Sequence, residues 1–235
     1  MPASLAASIR ERQREGRLPV LSEIKARSPK DGDLLRGRDP GALAETMGER
    51  PIAGLSVVTE PSDFGGDLAF VTQARARVRV PILCKDFHRE PADLEAAAEA
   101  GADAVLLTVC MLDDAQLVEL RVAAARLGLE TLVETHSAAE LRRVARLGIE
   151  LEILGINNRD ILRRETDDGT VSRTERLSGE VPAGTLLLSE SSIRGPDDAR
   201  RARDAGADAV LVGTSILLAD DPARAIDDLV AVGWP

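Results

Sequence analysis

Eight short runs rich in Val, Leu and Ile, each followed by a stretch of helical periodicity and a turn signal, constrain the fold of this 235-residue chain more than any other feature. The runs span residues 20–25, 54–60, 81–87, 104–109, 130–135, 153–158, 185–190 and 209–213. Their near-continuous hydrophobicity, without strict alternation, is what parallel strands buried on both faces require. Between them lie amphipathic stretches such as 91–100, 114–127, 137–147 and 196–205, followed closely by Gly101, Gly128, Gly148 and Gly206, which suit left-handed helix caps. Asp113 and Ser137 stand where a side-chain oxygen can take up the first free N–H groups of a helix. Repeated βα units imply right-handed crossovers, and eight of them favour closure into a (β/α)8 barrel. An open doubly wound sheet is the rival, but no Gly-x-Gly-x-x-Gly turn follows the first run. With no linker or break in composition, residues 1–235 are expected to form a single (β/α)8-barrel catalytic domain.

The pentapeptide Gly101-Ala-Asp-Ala-Val105 recurs as Gly206-Ala-Asp-Ala-Val210, each copy joining a helix to the next strand. It reads either as half-barrel repetition or as a common loop between helix and strand. Aromatic residues make up only 2% of the chain, so the core must be built from branched aliphatics and Ala, as barrel interiors are.

A formal net charge of −10 argues against nucleic acid as a partner. The longest apolar stretch, 104–111, falls far short of the roughly 20 residues a membrane helix needs. No secretory pattern opens the chain, and a cytoplasmic location is expected. The two cysteines, Cys84 and Cys110, lie in or at the end of apolar runs and read as small hydrophobes. His88 and His136 are the only histidines, and without C-x-x-C or H-x-x-x-H spacing no metal is expected.

In parallel barrels the site forms at the C-terminal ends of the strands, and here those ends are polar: Glu23-Ile-Lys25, Lys85-Asp-Phe87, Glu134-Thr135, Asn157-Asn-Arg-Asp160 and Ser189-Glu-Ser191. Only Lys25, Lys30 and Lys85 are lysine among 30 basic residues; two fall at strand ends and the third in the first βα loop. Side chains alternate with period two, so Glu23 and Lys25 share a face with Leu21, Lys85 with Leu83, and Glu134 with Leu132. Desolvation among such charges can lower a lysine pKa or raise a glutamate's, equipping Lys85 or Lys25 as an acid and Glu134 or Glu23 as a base. Gly213-Thr-Ser215 after the last run, with Glu190-Ser-Ser192 after the seventh, marks the usual barrel position for a phosphate.

Taken in order, Ser22-Glu-Ile-Lys-Ala-Arg-Ser-Pro29, Leu55-Ser-Val-Val-Thr-Glu60, Pro81-Ile-Leu-Cys-Lys-Asp-Phe87, Leu132-Val-Glu134, Gly155-Ile-Asn-Asn-Arg-Asp160 and Ser189-Glu-Ser191 resemble the indole-3-glycerol-phosphate synthase family over nearly the whole chain. The resemblance implies an anthranilate-derived, phosphorylated substrate, 1-(2-carboxyphenylamino)-1-deoxyribulose 5-phosphate, which closes its ring with loss of carbon dioxide and water. It implies no cofactor, and other tryptophan-pathway enzymes as possible partners. Lys85 then matches the general acid and Glu134 a carboxylate of the dehydration step. Lys25 would contact substrate anions, oriented by Glu23. Asn157, Arg159, Glu190 and Ser191 match polar residues around the substrate, with Arg159 suited to its carboxylate, while Ser28, Gly213 and Thr214 match the phosphate side. Three features depart from the family's pattern. Ser192 and Lys30 replace the usual Gly and Ser, and only 19 residues precede the first strand, which leaves the cover of the aromatic pocket open. The alternatives are another phosphate-binding barrel, a Schiff-base aldolase using Lys85 or a sugar-phosphate isomerase, and a non-catalytic barrel that binds a phosphorylated ligand.

Overall fold

The computed structural model describes residues 3–159 and 169–235; Asp160, the last residue of one quoted motif, lies outside them. Eight parallel strands close into a barrel: β1 (Val20–Ile24), β2 (Gly54–Val58), β3 (Ile82–Lys85), β4 (Ala104–Thr108), β5 (Glu130–Thr135), β6 (Ile153–Asn157), β7 (Leu186–Glu190) and β8 (Ala209–Val212). Closure is made by β1 against β8, with Val20 opposite Val210 and Ser22 opposite Val212, and by β1 against β2, with Leu21 opposite Gly54. The expected runs hold, trimmed at their ends. Lys25, Thr59, Glu60, Asp86 and Phe87 fall in the loops just past strands, because no neighbouring strand continues the ladder there.

Helices follow the strands: α1 (Leu5–Arg14) precedes them, then α2 (Pro40–Gly48), α3 (Ala69–Arg75), α4 (Pro91–Ala100), α5 (Asp114–Leu127), α6 (Ala138–Leu147), α7 (Ser172–Leu177), α8 (Pro196–Asp204), α9 (Thr214–Leu218) and α10 (Pro222–Val230). Caps fall where composition places them. Asp113 accepts from the Gln116 N–H and Ser137 from the Glu140 N–H, while Gly101, Gly128 and Gly148 take left-handed conformations. At α8 the cap is Ala205, and the left-handed residue is Gly206 beyond it.

Two apolar layers result. Leu21, Leu83, Ala104, Leu106, Leu132, Ile153, Leu188 and Leu211 fill the barrel, whereas Val20, Val57, Val105, Val133 and Val210 pack outward against the helices. Helix α1 closes the N-terminal end of the barrel, placing Leu5, Ala6 and Ile9 in the inner cluster. Its N-terminus is held by Glu130 at the start of β5, which accepts from Ser4 Oγ at 2.5 Å and from the Leu5 N–H at 2.6 Å. The repeated Gly-Ala-Asp supplies matching anchors. Asp103 accepts from the N–H groups of Ala3 and Ile82, and Asp208 accepts from Gln13 Nε2 and the Leu187 N–H. Each aspartate thus ties the start of the preceding strand to the α1 segment.

Candidate active site

At the opposite, C-terminal end the inward-facing row continues from aliphatic to charged residues, as period two requires. Above Leu21 stand Glu23 and Lys25, above Leu83 stands Lys85, above Leu132 stands Glu134, and above Leu188 stands Glu190. Lys25 Nζ lies 3.3 Å from Glu23 Oε1 and 5.7 Å from the centre of the Phe64 ring, a combined ion pair and cation–π contact. Lys85 Nζ lies 3.7 Å from Glu134 Oε2 and 3.8 Å from Glu190 Oε2. These three carboxylates and two ammonium groups gather at one end of the barrel.

Glu134 and Glu190 are both almost wholly buried, but their surroundings differ. Glu134 accepts from Asn157 Nδ2 at 3.1 Å and from Thr108 Oγ1 at 3.4 Å, with His136 Nε2 3.6 Å away. Neither oxygen of Glu190 meets a hydrogen-bond donor among the described residues. Burial first, and then the neighbouring Glu134 charge, push the Glu190 carboxyl well above the ordinary value, with Lys85 only partly opposing them. These surroundings favour the protonated form of Glu190. The carboxyl that burial and its neighbours raise is Glu190, read from sequence as a substrate contact.

Backbone choices make this packing possible. Gly155 on β6 lies opposite Glu134, and a Cβ there would overlap Glu190 Oε1. Gly213 does the same for Glu23, whose Oε1 would stand 2.6 Å from an added Cβ. Asn157 is a positioning residue in this geometry: its amide nitrogen holds Glu134 and its Oδ1 accepts from the Arg159 N–H at 3.0 Å. Asn158 braces the neighbouring loop, donating to the backbone oxygens of Glu190 and Ser191 and accepting from Thr174. Glu60 is fixed below the opening's rim. Burial opposes its charge, yet three N–H groups, of Ser62, Asp63 and Phe64, hold its carboxyl below the ordinary value.

The opening has two lobes that share Glu23, Lys25 and Ser191, with about 420 and 860 Å³ of empty space, solvent at the mouth included. The first is walled by Val58, Phe64, Phe87 and Leu106 and reaches Lys85 and Glu134. The second is lined by Lys30, Arg159, Arg194, Gly213 and Thr214. Arg159 thus stands on the cationic lobe, apart from the aromatic one. Ser28 lines neither; its hydroxyl donates to Asp31 Oδ2 and accepts from the Asp31 N–H, fixing the turn that presents Lys30. The two serines after β7 adopt left-handed backbone conformations, Ser191 at φ 64° and Ser192 at φ 61°. No N-terminal helix covers the mouth among the described residues, since α1 lies at the other end.

His136 went unassigned in sequence. It faces Glu134 through Nε2 and Glu140 through Nδ1 at 3.3 Å, and lies two residues beyond Glu134, on the same face by period two. Burial opposes its protonation, but Cys110, Glu140 and Glu134 together raise its pKa to about 10.

A closed parallel barrel with buried lysine and carboxyl groups gathered at its C-terminal end, beside an aromatic lobe and a cationic one, has the architecture of a (β/α)8-barrel enzyme. The family model for indole-3-glycerol phosphate synthase matches residues 2–229. An indole-3-glycerol phosphate synthase of Thermococcus kodakarensis is 38% identical over 232 residues, 99% of this chain and 99% of its own length. Those of Pyrococcus furiosus and Parafrankia are each 40% identical, covering 90% and 94% of this chain and 91% and 80% of theirs. A solved structure from Aquifex aeolicus VF5 aligns with a TM-score of 0.71 at 12% identity, over 99% of this chain and 100% of that one, which bears on the fold alone. The chain belongs to the indole-3-glycerol phosphate synthase family, carboxy-lyases of tryptophan biosynthesis.

Proposed function

We propose that the two-lobed opening closes the ring of 1-(2-carboxyphenylamino)-1-deoxyribulose 5-phosphate, with Lys85 as the general acid. The observation that carries this reading is the position of Lys85, its ammonium between Glu134 and Glu190 at the foot of an aromatic-walled lobe. An aromatic ring against Phe64 and Phe87 puts the ketone oxygen within reach of Lys85, and the phosphate extends into the lobe of Lys30, Arg194, Gly213 and Thr214. Lys25 and Arg159 answer the substrate's anions.

Attack of the ring carbon on the ketone leaves an oxyanion, which takes the Lys85 proton and becomes a hydroxyl. Loss of carbon dioxide restores the aromatic ring. The hydroxyl then leaves as water, which needs one proton delivered to it and one removed from the carbon beside the ring nitrogen. A protonated Glu190 next to a hydrogen-bonded Glu134 supplies one donor and one acceptor, so this step balances without further groups. Glu23 keeps Lys25 in place. The same reading has the enzyme working in the cytoplasm beside other enzymes of tryptophan biosynthesis.

Indole fluorescence appearing from the anilino-deoxyribulose phosphate tests the proposal. Lys85→Met should lower kcat by about 10²–10⁴-fold, the range of general acid catalysis, with the fold intact by circular dichroism. Folded parent protein that yields no indole product, or a Lys85→Met variant as fast as the parent, would overturn it.

A further inference from the structure

Beside the opening, outside the lobes that take the substrate, three side chains of different chemistry meet. Cys110 comes from the short 3-10 turn after β4, Val109–Met111, His136 from the residue after β5, and Glu140 from the first turn of α6. Cys110 Sγ lies 3.9 Å from His136 Nδ1, and the same nitrogen lies 3.3 Å from Glu140 Oε2. The sulfur, nitrogen and oxygen all lie within 4.8 Å of one another, and this is the one such mixed group among the described residues. We propose that Cys110, His136 and Glu140 form a binding site for a first-row transition-metal cation of the zinc or cobalt(II) type.

The spacing suits that ion. Tetrahedral coordination, with zinc–sulfur near 2.3 Å and zinc–nitrogen near 2.0 Å, separates the two donors by about 3.5 Å, so a small inward shift of the Cys110 turn completes it. Cys110 is half-buried on a three-residue turn, which permits the shift and leaves the fourth position to water. A thiolate, an imidazole and a single carboxylate select zinc or cobalt over magnesium or calcium, which demand oxygen ligands. Glu140 is held for the purpose: Ser137 Oγ donates to its Oε1 and the His136 N–H to its Oε2, fixing the carboxylate while a lone pair of Oε2 still faces Nδ1.

The other side of the imidazole strengthens the argument. With a metal on Nδ1, the ring keeps its proton on Nε2, which is buried, makes no hydrogen bond among the described residues, and faces Glu134 Oε1 at 3.6 Å. A metal-bound histidine that presents its second nitrogen to a carboxylate is the usual outer arrangement of zinc sites. Sequence spacing did not reveal the site because Cys110 stands 26 residues before His136, leaving only the His136–Glu140 pair local.

Cobalt(II) titration of chelator-stripped protein, kept reduced with a phosphine, tests the site without recourse to activity. One equivalent should bind with a thiolate-to-cobalt charge-transfer absorption in the near ultraviolet, and zinc should bleach it. Cys110→Ser should lose that absorption, and Glu140→Gln should weaken binding at least about tenfold. Cys84→Ser should keep it, since the Cys84 thiol is buried and burial pushes its pKa up to about 12. No charge-transfer absorption in the reduced parent protein overturns the proposal, as does absorption that survives Cys110→Ser or vanishes only in Cys84→Ser.

Discussion

Folding raises the Glu190 carboxyl well above the ordinary value of 4.5, near which the unfolded chain loses that proton. Above that value, and up to the raised folded value, the native state binds one proton more than the unfolded state, so stability from this group declines as pH rises. Glu190→Gln cannot lose a proton and should remove the decline. Its Tm should match that of the parent below about pH 4.5 and exceed it increasingly above, by about 2–4 °C for each kcal/mol, while turnover falls. Thermal melts across a pH series read this directly. Lys30 lines the cationic lobe at a distance from Lys85's chemistry, so Lys30→Ala should raise KM with little change in kcat. At this scale the sequence was only partly legible. Period two placed Glu23, Lys85 and Glu134 on the inner face, but the raised Glu190 carboxyl depends first on burial and then on the charge of Glu134 from another strand, which no local pattern shows.

The turn after β7 shows what a local departure from the family pattern does to an element. Ser192 takes a left-handed conformation that costs a residue with a Cβ about 1–2 kcal/mol, and its buried hydroxyl has no hydrogen-bond partner among the described residues. Ser192→Gly should raise stability by about 1 kcal/mol and lower KM, as denaturant titration and steady-state kinetics would record. Elsewhere local chemistry was readable in advance: α4 and α5 have the bounds their caps imply, because the N-caps, the prolines at first turns and the C-cap glycines act within a few residues. Strand ends were less so. Residues 59–60 and 86–87 extend each run's composition, but the pairing that ends a strand is set by its neighbours. The small ladder of Arg27–Ser28 with Gly32–Asp33, which shapes the Lys30 loop, had no periodic signature at all.

For the molecule as a whole, α1 is the piece least legible in sequence, since its apolar stripe could have covered either end of the barrel. It fills the floor, with Leu5 and Ile9 fully buried among inward-facing strand residues. Leu5→Ala should therefore cost about 2–5 kcal/mol, measured by chemical denaturation, and leave kcat near the parent value because the chemistry is at the other end. This helix also bears on how the barrel is reached during synthesis. It is made before any strand it plugs, yet the Glu130 that caps it follows 125 residues later and the Asp208 that holds Gln13 follows 195 residues later. Strand β1 must wait equally for β8. Until the last βα unit leaves the ribosome, Leu5 and Ile9 have no finished floor to enter, so the apolar face of α1 is a segment for a chaperone to shield, and contacts of such long range make folding slow.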